Sequence, residues 1–432
     1  MALSHFGVEL SFAKSVNPAR RWWRSLGHGN DMRGALLDKI SEFEDYSELH
    51  KQGVPISEIR AAIRDTIEPY LKNKDILKGE SVYYLSGEAI NVRRITLDSS
   101  GPLFLNQILA VYWNAYRQDP EACTDLLAKL DSYVQKGKEK YISISLLERD
   151  KTGMDTETLA HEIFQIIGTT IEGPIKPFLD ELLCLFHMQD KQYTHANILS
   201  LTLGKVVNSL FNEAFDQSFL YPGGFGVTLS QWRNIAQHLS FSVAGSEITA
   251  TYGRRNQQRE VTLKHNDLIP LLRQILLRLS VLKAARVLFT WDNIQLIGPK
   301  LVEHTEHPDS LLTDLAATFL TQGFRISRAD SSIERLQITL TDLRAKFEDP
   351  NVRAIHASQF LAFLSQRVPG KALSIEHLDP HRNKSCEFSL TRPDAKAVGQ
   401  SNNPFKELSR LFTFKKGPNK ANSADAKGTA AD

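Results

Sequence analysis

Cysteine is nearly absent from this chain. Cys123, Cys184 and Cys386 are the only thiols in 432 residues. They lie far apart, with no CxxC spacing and no even set. Neither a disulfide framework nor a zinc ribbon is therefore expected, and a reducing cytoplasm is the default setting. Net charge is nearly absent too, at +2, so the molecule as a whole is no polycation. Any nucleic-acid binding has to come from a local patch. No run approaches the ~18 uninterrupted apolar residues that a membrane span needs. The opening "MALSHFGVELSFAKSVNPARRWW" lacks the apolar core of a secretory leader. A cytoplasmic chain without a membrane partner is the expectation.

What is present is enough apolar material, 42% of residues against 24% charged, to bury a sizeable core. The length suggests about two to four domains. Residues 1–150 read as a mixed α/β region of opaque role. In it, "DMRGALLDKISEFEDYSEL", "EIRAAIRDTIEPYLKNK" and "PLFLNQILAVYWNAYRQD" have helical apolar spacing. "SVYYLSGEAINVRRITLDSS" reads as a hairpin about its Ser-Gly turn.

Residues 151–290 are more orderly. Asp155 or Thr156 caps a long helix whose apolar stripe runs through Ile163, Ile167, Ile171, Ile175, Phe178, Leu182 and Phe186. Gly173, Pro174 and Pro177 predict a kink or break in it. A second helix, the Gly-rich "YPGGFG", a short helix capped by Thr228 or Ser230, a hairpin at "LSFSVAGSEITATY", a third strand at "REVTL" and a long closing helix complete the order. Residues 291–414 read as α+β, and 415–432 as a disordered tail. The expected class is mainly α with small β elements: a central helical bundle with a β-hairpin insertion, flanked by α+β regions.

The short helix carries the residues with chemistry. In "QWRNIAQHLSF", taken as helix at roughly 100° per residue, Asn234 lies near 100° and His238 near 140° from Arg233. A permanent cation, an amide and a group titrating near neutrality share one face, while Trp232, Ile235 and Leu239 can anchor the helix. That inventory suits RNA cleavage without a metal. Attack by a 2′-hydroxyl needs a base, and a bidentate Arg stabilises charge on the phosphoryl oxygens. By spacing alone, a surface helix with ordinary polar residues serves as well.

The context of "RNIAQH", after "LTLGKVV" and a Gly-rich loop and before "LSFSVAGSEI" and "VTLKHNDL", resembles the HEPN domain family over about residues 155–290. That family is marked by an R-N-x3-H pattern late in an all-α bundle, and many members are metal-independent endoribonucleases. The resemblance implies Arg233 and His238 as the catalytic pair, with Asn234 beside them. It implies a homodimer whose two motif helices form one composite cleft, an RNA substrate, no cofactor and no metal. It further suggests a toxin or phage-defence effector with a regulatory or antitoxin partner. Gln237 stands where many relatives have a small residue, and some HEPN domains are non-catalytic interaction or RNA-sensing modules.

Other residues carry weaker signals. Glu172, beside the expected break, could orient His238 or simply be solvated. Arg254, Arg255 and Arg259 between two strands could track phosphates or line a solvated loop. Glu303, His304, Glu306 and His307 offer two imidazoles one turn apart but no third metal ligand. Arg20, Arg21 and Arg24 beside Trp22 and Trp23 could stack on bases, though an aromatic core with exposed Arg is commoner. "YPGGFG" lacks the Lys of a P-loop. "PHRNKS" repeats Arg-Asn at 382 and 383 without the following His. "NPFKELSRLFTFKK" reads as a basic amphipathic helix.

Overall fold

The computed structural model describes residues 49–50, 52–77, 85–145, 155–188, 195–213, 215, 217–254, 257–301, 318–320, 322–344, 348–368, 370–379, 383–401 and 403–417. The segments expected as a helix before Leu49 and as a tail after Gly417 lie outside them. So do Arg20, Trp22, Trp23 and their neighbours, Arg255, Arg382 and the Glu303–His307 cluster. Helix makes up 67% of what is described, and the strands form two sheets, of three and five strands. The chain is mainly α with small sheets. It divides into two compact units, the first holding Ile63–Ser310 and the second His28–Ala62 with Leu311–Asp432. The boundary falls within helix α1, Ile56–Ile67.

In the first unit, α2 spans Ser86–Leu97, α3 Gly101–Gln118 and α4 Pro120–Ser145. The expected hairpin at 81–100 is corrected here, since its second half is α2. Ala89, Ile90, Val92 and Ile95 are buried together, and that packed face overrides the strand preference of the β-branched residues. The expected division at 150/151 falls inside this unit: Tyr112 on α3 donates to Glu181 of the central bundle at 2.7 Å.

Helix α5, Thr156–Thr170, starts on Asp155, whose side chain accepts from the Thr158 amide, as an N-cap should. Its apolar stripe is buried from Ile163 to Leu182. The expected break is a π turn, Ile171–Ile175, leading into α6, Lys176–Phe186. Pro174 has no amide proton to give and its ring crowds the preceding carbonyl, so the helix widens for one turn. Then come α7, Leu203–Asn212, and α8, Leu229–His238. An antiparallel sheet follows, of β1 Phe241–Ala244, β2 Glu247–Arg254 and β3 Gln257–Lys264. The closing helix α9 runs Leu268–Asp292.

The core of this unit is not wholly apolar. On α9, Arg286 sends Nε to both carboxylate oxygens of Glu181 at 3.0 and 3.1 Å, and Nη1 lies 2.9 Å from Asp131. Burial works against the charged guanidinium, but Glu181 and Asp131 more than offset it and hold the proton on.

The second unit orders its strands β4-β5-β6-β7-β8: Phe324–Ser331, Arg335–Asp342, Ala372–Leu378, Lys384–Leu390 and Thr413–Lys416. Only β5 and β6 are parallel, joined through α10, Pro350–Arg367. Helices α11, Arg392–Gln400, and α12, Pro404–Leu411, follow β7. The expected basic helix thus ends at Leu411, and the remainder is β8. Lys415 and Lys416 pair with Glu387 and Cys386, so the tail expected from 415 is ordered strand at its start. Strand β4 was not anticipated; its alternation is broken by a bulge between Ile326 and Arg328.

On the helix-covered face, Arg353 is fully buried and grips both oxygens of Asp342 at 3.2 Å. His377 Nε2 lies 3.5 Å from the same carboxylate and Nδ1 meets the Ser385 hydroxyl. The His377–Asp342 contact is a charge attraction rather than a formed hydrogen bond, since Nε2 has no properly directed partner. Burial alone would lower the His377 pKa; Asp342 and the Cys386 sulfur outweigh it and raise it to about 9. A raised folded-state value stabilises below the ordinary value of 6.5 and is lost as pH climbs through about 9. Each tenfold in proton affinity is worth about 1.4 kcal/mol. The second unit's urea midpoint should therefore fall between neutrality and pH 10, and His377→Gln should flatten that slope.

Candidate functional site

The site residues sit where α5 and α8 run side by side in opposite directions. A side chain added at Gly168 on α5 would put its Cβ 2.9 Å from the Ala236 Cβ and 3.9 Å from the Gln237 Cγ. The two backbones therefore approach closely at that level. Toward the start of α5, Phe164 meets Phe241 at 4.7 Å between ring centroids. One turn beyond Gly168, inside the π turn, Glu172 faces Arg233. The wide turn decides which side chain arrives opposite the guanidinium.

Helix α8 is fixed at its start by a capping box. Thr228 accepts from the Gln231 amide at 3.2 Å, and Gln231 accepts from the Thr228 amide at 2.9 Å. Trp232, Leu229 and Ile235 are fully buried beneath. Thr228→Ala should cost about 1 kcal/mol, read as a lower urea midpoint by tryptophan fluorescence. At its end, Leu239 takes a left-handed conformation, φ 49°, although it is 53% exposed. For a branched side chain that is a strain of roughly 1–2 kcal/mol. It stops the helix immediately after His238.

Arg233, Asn234 and His238 are all on α8, as the motif places them. Asn234 and His238 are exposed, and Arg233 is half-buried. The Arg233 side chain is not free in solvent. Its Nη1 donates to Gln237 Oε1 at 2.9 Å, and its Nε is 3.1 Å from Glu172 Oε2. The second contact is an ion pair without a well-directed hydrogen bond, because the Nε proton does not point at the oxygen. Glu172 therefore partners Arg233 rather than His238. Gln237, which the sequence offered only as standing where many relatives have a small residue, is the second partner of the cation.

The β2–β3 ribbon passes beside this helix end. The Thr251 amide donates to the Ser240 carbonyl at 2.8 Å, and β2 continues to Arg254, paired with Gln257. At about 3.3 Å per residue the ribbon runs on for ~10 Å past that point. Arg259, exposed and opposite Tyr252, lies on this extension.

Sequence reasoning missed a second constellation, Ser385–His377–Asp342. It has the order of a nucleophile, base and orienting acid, but the chemistry does not follow. With its pKa raised to about 9, the imidazole already carries its proton near neutrality and cannot take one from Ser385. Asp342 is committed to Arg353. The residues lie on different strands, and no linear spacing signals them. A cleft of about 390 Å³ opens beside Tyr116, Trp291 and Asp292, but the Asp292 carboxylate is taken up by the Lys72 and Asn73 amides at 2.8 Å each. The three cysteines are buried and free. Among the described residues, no helix is long and apolar enough to cross a membrane.

No family model, no curated protein and no solved structure matches the chain.

Proposed function

We propose that the chain is a metal-independent endoribonuclease of the HEPN type, cutting by 2′-hydroxyl attack at a site built from Arg233, Asn234 and His238. The observation that carries this reading is the exposure of His238 at a strained helix end, on the same helix as a cation anchored by Glu172 and Gln237. A histidine serving only the core would be enclosed and hydrogen-bonded. An exposed imidazole can reach a ribose hydroxyl, and backbone strain tends to collect at functional sites.

One α8 helix supplies a single imidazole and a single guanidinium. Two proton transfers and charge stabilisation are better served by two copies, so the active form in this reading is a homodimer with paired α8 helices. Arg259, exposed on the ribbon leading away from the helix end, would follow the RNA backbone. The wider role, a toxin or phage-defence effector in the cytoplasm held by an antitoxin or regulatory partner, belongs to the same proposal. The test is RNA turnover by the purified full chain in EDTA, with product analysis for 2′,3′-cyclic phosphate ends. Loss of cleavage on chelation would remove the proposal.

A second reading, a non-catalytic interaction or RNA-sensing module, is favoured by one feature: the Arg233 guanidinium is already engaged within its own subunit. It predicts salt-dependent RNA or partner binding with no product.

A further inference from the structure

We infer that Glu172 and Gln237 hold Arg233 in a resting state, and that a phosphodiester engages this guanidinium only by displacing one of them. The inference rests on reading α8 as a phosphodiester site and adds how that site is restrained.

A guanidinium offers two bidentate edges, one from Nε with Nη2 and one from the two Nη groups. Glu172 Oε2 stands 3.1 Å from Nε, which covers that side with a carboxylate though without a directed hydrogen bond. Gln237 Oε1 accepts one of the two Nη1 protons at 2.9 Å. An incoming phosphoryl group meets a guanidinium already shared between two side chains, and displacing one of them frees donors and charge for the fork geometry that makes arginine a strong phosphate ligand. The carboxylate also cancels much of the positive potential that would draw an RNA strand to α8.

The restraint is set by backbone placement yet is releasable. The close approach at Gly168 and Ala236 and the π turn after it fix where Glu172 emerges. The Glu172 side chain is nonetheless 43% exposed, and Gln237 is exposed. Either can swing into water with little desolvation cost. The poorly directed Nε contact makes Glu172 the easier of the two to exchange.

The test uses the full chain carrying His238→Ala to prevent cleavage, a fluorescein-labelled oligouridylate as probe, EDTA, and one fixed salt concentration. Glu172→Gln keeps the shape of the side chain and removes its charge. It is expected to lower the Kd by up to about fivefold, the upper end of what one weak exposed ion pair is worth. Gln237→Ala should shift binding in the same direction by less. The gain from Glu172→Gln should vanish when Arg233→Ala is also present. Glu157→Gln, an equal charge change on the first turn of α5, should leave binding unchanged. If Arg233→Ala weakens binding while Glu172→Gln does not tighten it, the restraint is wrong and the site stands. An equal gain from Glu157→Gln also overturns the restraint, since bulk charge then explains it. If neither Arg233→Ala nor Glu172→Gln moves the Kd, Arg233 does not contact RNA, and the site reading falls together with the restraint.

Discussion

His238→Ala is expected to lower RNA cleavage in EDTA by roughly 10²–10⁴-fold, the usual worth of a positioned general acid or base. Fold should be unaffected, since His238 is an exposed residue at the end of α8 and carries none of the core. Arg233→Lys should also be severely impaired. Lysine keeps the charge but loses the fork that can hold two phosphoryl oxygens at once. The measurement is initial cleavage rate at saturating RNA, with circular dichroism to show intact helix content. A His238→Ala protein that cleaves as fast as the parent would end the nuclease proposal whatever Arg233 does. Mixing His238→Ala with Arg233→Lys subunits adds a separate test of the composite cleft. If the two copies build one site, mixed dimers should regain part of the rate that each variant lacks alone.

Much of the first unit was legible because its signals are local. The α5 stripe, the Asp155 cap, the break at Pro174, the Thr228 cap and the hairpin at Gly245 each come from residues within a few positions of one another. Each works through backbone chemistry that acts at that range. Helix α2 was misread for the opposite reason. Ile90, Val92 and Ile95 favour strand by intrinsic preference, and only packing against distant helices settles the matter. Strand β4 was hidden because charged Arg325, Arg328 and Asp330 alternate with few apolar residues and a bulge resets the register.

At the candidate site, the motif residues were readable as three types on one helix face. Their partners were not. Glu172 lies 61 positions from Arg233 in the chain, and its approach depends on how the π turn rotates it, which no spacing encodes. Gln237, four residues after Arg233, is at helical contact distance and could have been paired with it from the sequence. The buried clusters around Arg286 and Arg353 were equally hidden. Each draws its members from separate helices or strands, and a charged residue in an apolar helix looks the same whether it reaches solvent or a buried partner.

The larger stability effect is expected at that first cluster. Glu181 and Tyr112 are fully enclosed, and the Arg286 side chain is 6% exposed. Glu181→Ala removes the acceptor of the Arg286 Nε contacts and of the Tyr112 hydroxyl together. It leaves a buried cation with Asp131 and the Leu127 carbonyl as its remaining partners. Breaking a buried pair from one side costs about 3–5 kcal/mol, because the surviving charge cannot regain its water. Removing all three charges, with Glu181→Leu, Arg286→Met and Asp131→Asn, should cost less than Glu181→Ala alone, since neither a cation nor the Asp131 carboxylate is then left stranded. Urea unfolding followed by tryptophan fluorescence reports the effect: the described tryptophans, Trp113, Trp232 and Trp291, all belong to the first unit. If the triple replacement proves worse than the single one, the ion pairs contribute net stability beyond their own desolvation. The cluster would then be a driving force for assembling α3, α4, α6 and α9 rather than a device that specifies their register.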